Sequence, residues 1–256
     1  MPLTSKRVSA SRACSTDSPL STPLPDDVAA QERYFDLARN QYDPAAVLNP
    51  PVHTACEIQR VLDRLSEAAV DGPIIDFGAG TGRLSIALAR TGYSVTAVDV
   101  SRRSLVSLRA IARDLGLSTI ATTTSLPTTG RHHAVVGADV LHHVDLNDYL
   151  PRIRAALRPG GRAIFSEPGA FNPAWYVYLA FTHDLRIERR IVTCNLLYLR
   201  RTFERHGFVD VRVTGLGLLP RPLFGRTAAL CNRHDSLGDL PGLRWFAYRY
   251  LVEATA

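Results

Sequence analysis

Apolar residues fall into helical spacing in "DDVAAQERYFDLARNQYD", from Asp26, and again in "VHTACEIQRVLDRLSEAA", from Val52, with "NPP" at 49–51 between them. Recurrence at i, i+3 and i+4 predicts two amphipathic helices. From Ile74 the pattern changes, and short apolar runs alternate with longer helical stretches. Strands are predicted at 74–77, 94–98, 118–122, 134–139 and 162–166. Helices are predicted at 82–90, 101–115 and 147–157, the second of them with Ser101 as its natural N-cap. "RPGG" at 158–161 closes the last of these helices and opens the strand after it. Repeated strand–helix units predict an α/β fold, a doubly wound and mostly parallel sheet with helices on both faces.

After Glu167 the regularity breaks. "PGAFNPAWYVYLAFTHDLRIERR" is rich in aromatic residues and has no clean period. A helix is expected over 193–206, stopped by Gly207, then a strand at 208–216. "RWFAYRYLVEA" at 244–254 alternates well enough for a final strand. There is no internal repeat. The first 25 residues are rich in Ser, Thr and Pro and hold one acid, Asp17. They read either as a disordered tail or as an organellar targeting segment, with the folded domain running over 26–256.

Composition narrows the class. Hydrophobic residues make up 46% and charged residues 21%, an ordinary soluble balance. No apolar run approaches the roughly 20 residues that cross a bilayer, so stable membrane insertion is not expected. The net charge is +6, and all but one of the 30 basic residues, Lys6, are arginine. They are scattered, with no basic stripe interleaved with aromatics, which argues against nucleic acid as a partner. Cys14, Cys56, Cys194 and Cys231 are far apart, with neither a C-x-x-C pair nor clustered histidines. No metal site or disulfide framework is expected, and buried thiols fit a reducing, cytoplasmic location.

The chemistry concentrates in "IIDFGAGTGRLSIALAR", Ile74 to Arg90, where an acid precedes three glycines spaced G-x-G-x-G. Ligands of open parallel sheets sit beyond the carboxyl ends of the strands, where Asp76, Gly78, Gly80, Gly82 and Asp99 fall. A dinucleotide fold would show G-x-G-x-x-G, but here Arg83 occupies the third glycine's place. An unpaired carboxylate beside a pyrophosphate is repulsive, since helix N-termini there favour anions. Beside S-adenosylmethionine the sign reverses, because its ammonium and sulfonium outweigh its carboxylate. Glycine lets the backbone approach such a ligand without Cβ clashes. Asp99 suits either cofactor, as a carboxylate that accepts from both ribose hydroxyls.

Together "IIDFGAGTGRLSIALA", "VTAVDVS", "ADVLHHV" and "LRPGGRAIFSEP" resemble the successive motifs of class I S-adenosylmethionine-dependent methyltransferases. The similar branch is the one that includes quinone-biosynthesis and natural-product enzymes. The resemblance covers Ile74 to Pro168 and implies a Rossmann-like seven-stranded sheet with its last strand antiparallel. It also implies that Asp76, Gly78, Gly80 and Gly82 hold the methionine part and Asp99 the ribose. Thr122 or Thr123 stands where the family usually places an acidic adenine contact. Tyr34 and Tyr42 fall where related enzymes close an N-terminal helix over the cofactor; ordinary helix packing accounts for them equally.

Three residues are candidates for catalysis. His142 or His143 could serve as general base near neutral pH, or "LHHV" could simply cap a strand. Glu167 could bind or deprotonate the acceptor, or satisfy loop amides. Asp139 reads as structural. Segments 168–192 and 217–243 are candidate lids, and their aromatics favour an apolar small-molecule acceptor, with O-methylation the first expectation. A non-catalytic binding protein that has kept the cofactor fold is the alternative. The oligomeric state is left open.

Overall fold

A computed structural model describes residues 44–182, 188–220, 223 and 227–256. The helix expected over 26–43, with Tyr34 and Tyr42, lies outside them. A short helix α1 (Pro44–Leu48) leads into α2 (Val52–Glu67), and then the alternation begins: β1 (Ile74–Phe77), α3 (Arg83–Arg90), β2 (Val95–Val98), α4 (Arg102–Asp114), β3 (Ile120–Thr123), β4 (His132–Ala138). A 3-10 turn at Leu141–His143 precedes α5 (Leu146–Ala156) and β5 (Leu157–Pro168). After them come α6 (Pro173–Thr182), a 3-10 turn at Glu188–Thr193, α7 (Leu196–Arg205), β6 (Val209–Leu216), α8 (Ala228–Leu237), a 3-10 turn at Leu243–Phe246 and β7 (Arg249–Thr255).

The seven strands form one sheet in the order β3-β2-β1-β4-β5-β7-β6. Strands β1 to β5 pair in parallel with one another, and β7 runs antiparallel to both β5 and β6. Both faces are covered, and the alternation along each strand shows how. Ile75, Val135, Ala163, Phe165 and Val252 face α5 and α7, packing with Leu150, Ile153, Leu199 and Phe203. Ile74, Val136, Ile164 and Leu251 face α2 and α3, packing with Val61, Leu65, Leu84 and Leu88. A strand buried on both faces reads as a continuous apolar run, which is why the central strands are easy to find. Fully burying each such aliphatic side chain contributes about 1.5–3 kcal/mol. Arg60 of α2 donates Nε to Asp235 of α8 at 3.1 Å, tying α8 to the same face.

Several boundaries differ from the sequence expectation. Strand β3 starts at Ile120, not at residue 118. Strand β5 begins at Leu157, because Leu157 pairs with His132 across a register shift and Gly160 N donates to Ala256 O at 3.0 Å. The RPGG stretch is therefore tied into the sheet. Helix α7 begins at Leu196, where Asn195 caps it by accepting from Tyr198 N at 2.9 Å. The aperiodic stretch after Glu167 contains helix α6, whose apolar residues surround it and so leave no helical period. The last strand begins at Arg249, not residue 244. Gly242, at φ 83°, starts the 3-10 turn, and only the buried run after Tyr248 pairs.

Candidate active site

The glycine loop joins β1 to α3. All three glycines have positive φ, 75° at Gly78, 53° at Gly80 and 101° at Gly82, a region costly for residues with a Cβ. They differ in what a Cβ would meet. At Gly78 it would strike Val140 at 2.5 Å and at Gly82 Leu108 at 2.2 Å, whereas at Gly80 nothing lies within 4 Å. Gly78 and Gly82 seat the loop on its scaffold. Gly80 faces open space, as a loop made for close ligand approach must.

Asp99, partly exposed at the end of β2, closes that loop: it accepts from Gly80 N at 2.7 Å and from Ser101 N at 2.8 Å. Asp76 is buried on the α3 side of β1 and accepts from Ser85 Oγ at 2.6 Å. Burial pushes its carboxyl up to about 6, with the Ser85 hydrogen bond and the Arg83 charge pulling the other way. It is 1% exposed, beneath the loop. The carbonyl of Thr123, at the end of β3, accepts from Asp99 N at 3.2 Å, which places its backbone beside Asp99. The Thr122 hydroxyl instead accepts from Arg109 Nη1 of α4 at 3.2 Å. Tyr34 and Tyr42 lie outside the described residues.

At the ends of β4 and β5 the structure brings His142 and Glu167 together. Glu167 is fully buried, and its Oε1 accepts from Val140 N at 2.9 Å and Leu141 N at 2.8 Å. Its Oε2 lies 2.7 Å from Nδ1 of His142, which is 4% exposed. A carboxylate whose other oxygen already takes two amides accepts the Nδ1 proton, which leaves Nε2 as the basic nitrogen of the ring. The His143 ring lies beside that of His142, centroids 4.0 Å apart and tilted by 43°.

Cys194 lies behind them, its Sγ 3.8 Å from Glu167 Oε2. The sequence spacing offered no metal ligand set, yet the ligand atoms of His142, Glu167 and Cys194 come within 4.8 Å of one another. Their mutual hydrogen bonds account for the cluster. Burial pushes the Cys194 thiol up to about 11, so it stays protonated.

A second polar group occupies the floor between the two halves. Arg249, the first residue of β7 and 4% exposed, donates Nη2 to Asp139 Oδ1 at 2.6 Å and to Ser166 O at 3.0 Å. The same Nη2 lies 2.8 Å from Glu57 Oε1 of α2. Arg83, directly after the glycine loop, reaches Asp139 Oδ2 at 3.1 Å and Glu57 Oε2 at 3.7 Å. Burial alone would raise the Asp139 carboxyl, but the guanidinium groups of Arg249 and Arg83 outweigh it and hold it well below the usual carboxylate range. Asp139 also sits at φ 57°, a conformation aspartate tolerates better than most residues. The network ties α2, the glycine loop, β4, β5 and β7 into one unit. The structural reading of Asp139 agrees with this placement. Arg83, Arg249 and Glu57 were not singled out by the sequence, although an arginine inside an otherwise buried strand is a signal that could have found Arg249.

Comparison with known proteins decides the family. A family model described as "Methyltransferase domain" matches residues 52–213. The chain belongs to the methyltransferase family. Its sheet order and glycine loop place it among the class I, S-adenosylmethionine-dependent members. A ubiquinone biosynthesis O-methyltransferase of Paramagnetospirillum magneticum is 27% identical over 170 residues, 60% of this chain and 67% of that protein. A ribosomal protein L11 methyltransferase of Dechloromonas aromatica is 34% identical over 94 residues, 36% of this chain and 31% of that one. The chain thus spans about two thirds or less of these relatives.

Among solved structures, a methyltransferase of Thermotoga maritima described as a possible histamine N-methyltransferase aligns with a TM-score of 0.59 at 16% identity. It covers 89% of this chain and 95% of that one. The magnesium protoporphyrin IX methyltransferase of Synechocystis aligns with a TM-score of 0.56 at 17% identity, covering 90% and 99%. At such identities the likeness is one of fold. In this methyltransferase no helix among the described residues is long and apolar enough to cross a membrane.

Proposed function

We propose that this methyltransferase transfers the methyl group of S-adenosylmethionine to the oxygen of an apolar small molecule, with His142 as general base. The observation that carries the reading is the His142–Glu167 pair, a buried 2.7 Å contact at the carboxyl ends of β4 and β5. The residues present fit the cofactor: Gly80 opens onto free space, Asp99 stands at the ribose position, and Asp76 adds negative field beneath the methionine end.

When bound, the cofactor supplies a methyl group on a sulfonium. The chain's own residues do the rest. The glycine loop and Asp99 fix the donor's position, and holding the reactants in line supplies much of the acceleration. His142 would take the acceptor's hydroxyl proton at Nε2 as the methyl group passes from sulfur to oxygen, the electron pair of the broken C–S bond remaining on sulfur, and Glu167 would hold Nδ1–H and stabilise the resulting imidazolium. The ubiquinone-pathway relatives are O-methyltransferases by name, which supports the same reaction type.

The test is methyl transfer from radiolabelled S-adenosylmethionine to a panel of phenols, with S-adenosylhomocysteine binding measured by calorimetry on the same preparation. His142→Gln should lower kcat about a hundredfold or more while leaving S-adenosylhomocysteine affinity within twofold. Full activity in the variant would remove His142 from the mechanism. Micromolar product binding without transfer to any acceptor would favour a binding protein that has kept the fold.

A further inference from the structure

The C-terminal half carries a second concavity, apart from the glycine loop. A groove of about 780 Å³ is lined by Ala170, Phe171, Pro173, Tyr176, Trp245 and Phe246. Phe171 is 49% and Phe246 55% exposed, and contiguous exposed apolar surface of this kind marks ligand-binding grooves. We infer that this groove holds a neutral, planar aromatic ring system as the body of the methyl acceptor, gripped by Trp245 and Phe246. The inference rests on the proposed methyltransferase reading and names the substrate class of its site.

The chemistry of the lining selects the occupant. None of the described lining residues is charged, so they offer nothing to balance a phosphate, carboxylate or ammonium, and desolvating one against them would be costly. The Tyr176 hydroxyl is already committed, donating to Ala170 O at 2.6 Å, so Tyr176 presents its ring. Four of the six lining residues are aromatic, and rings prefer offset stacking or edge contact with other rings at centroid separations near 4.5–7 Å. A flexible alkyl chain gains most when it is enclosed on all sides. A groove whose walls stand half in solvent covers one or two faces, which suits a flat molecule. The volume is within the range of about 300–1,000 Å³ typical of small-molecule sites.

Position links the groove to the catalytic pair. Ala170 of the groove wall donates N–H to Cys194 O at 2.9 Å, and the Cys194 thiol touches Glu167. Cys194, itself fully buried, therefore stands between the groove wall at Ala170 and the His142–Glu167 pair, and Ala170 follows Glu167 closely in the chain. Trp245 and Phe246 belong to the 3-10 turn before β7, so they are set on the sheet and not on a free loop. The apolar acceptor expected from "FNPAWYVYLAF" thus acquires two ring contacts, Trp245 and Phe246, from the segment first read as strand.

The chain has two tryptophans, so a Trp175→Phe protein reports through Trp245 alone. Its emission should be titrated with 7-hydroxyflavone, which accepts energy from tryptophan, and 1-decanol should be tested as competitor. Saturable quenching at micromolar flavone, at least tenfold weaker competition by decanol, and a tenfold loss of flavone affinity in Phe246→Ala would support the inference. Phe246 is half exposed, and an unchanged thermal midpoint would show that its variant is folded. A direct calorimetric titration of wild type repeats the measurement should Trp175→Phe be unstable. Decanol binding as tightly as flavone, unchanged flavone affinity in Phe246→Ala, or no flavone binding would each overturn it. S-Adenosylhomocysteine calorimetry on the same samples separates the two readings: product binding without flavone binding sinks the groove alone, and loss of product binding sinks the parent proposal.

Discussion

The two ends of this crevice are built in opposite ways. The cofactor half, around β1 and β2, is made by residues close in sequence. Gly78, Gly80 and Gly82 shape one loop, and Asp99, bonded to Gly80 N, comes only 19 residues later. The other half, around β4, β5 and β7, is made by residues far apart. Arg249 meets Asp139 across 110 positions, and Ser166 meets Glu57 across 109. The first depends on backbone conformation and empty space, the second on buried charges that balance one another. A loop of the first kind should be sensitive to a single added methyl, and a network of the second kind to the loss of a single charge.

The largest effect expected from this contrast is on the network. Arg249→Met leaves buried Glu57 and partly exposed Asp139 with Arg83 as the remaining guanidinium beside both. It should cost about 3–5 kcal/mol, as losing one member of a buried ion pair does, read as a shift in the urea midpoint at constant slope. A loss below about 1 kcal/mol would mean that Arg83 alone balances both acids.

Within the glycine loop two alanine substitutions should separate stability from binding. Gly82→Ala meets both a positive φ and the Leu108 side chain, and should destabilise by about 2–3 kcal/mol. Gly80→Ala meets only the φ term, about 1 kcal/mol, yet its methyl fills the open space. S-Adenosylhomocysteine affinity should fall about tenfold or more, measured by calorimetry. Equal effects of the two on both readouts would erase the distinction between scaffold glycine and ligand-facing glycine.

A smaller and more diagnostic effect comes from Asp76. Its carboxyl is raised to about 6 by burial, so between the ordinary carboxylate value of 3.8 in the unfolded chain and about 6 the folded chain holds a proton that the unfolded chain releases. The corresponding stability is present below pH 3.8 and lost as pH rises through 6. Asp76→Asn should flatten that part of the ligand-free stability curve. In wild type, S-adenosylmethionine affinity should rise severalfold from pH 5 to pH 7 as the acid ionises beneath a cationic ligand. An affinity flat over that range would remove Asp76 from cofactor recognition.

The same division explains what the sequence made legible. Strands at Ile74–Phe77 and Val95–Val98 were readable because β1 and β2 are buried on both faces and stand between strong helix signals, including the Ser101 cap, which accepts from Ser104 N at 3.1 Å. The start of β7 was not, because Trp245 and Phe246 have strand-like alternation while Gly242 and the wall of the groove impose a turn. His142 and Glu167 were both singled out, but their pairing depends on β4 and β5 lying side by side, and Cys194 joins them from a segment with no readable period. Thr122 and Thr123 looked equivalent. Alternation along β3 turns the Thr122 hydroxyl toward Arg109 and the Thr123 hydroxyl toward Ser125, while the Thr123 carbonyl accepts from Asp99 N.

By itself the sequence determined the α/β class, the glycine loop and the acids around it, because these depend on local periodicity and on residue types that tolerate few backbone conformations. The tertiary structure decided which histidine carries a carboxylate partner, which charges share the floor of the crevice, and which rings wall the groove. Those are matters of strand order and of distances between residues tens of positions or more apart in the chain, where electrostatics and packing act through space and leave no period to read.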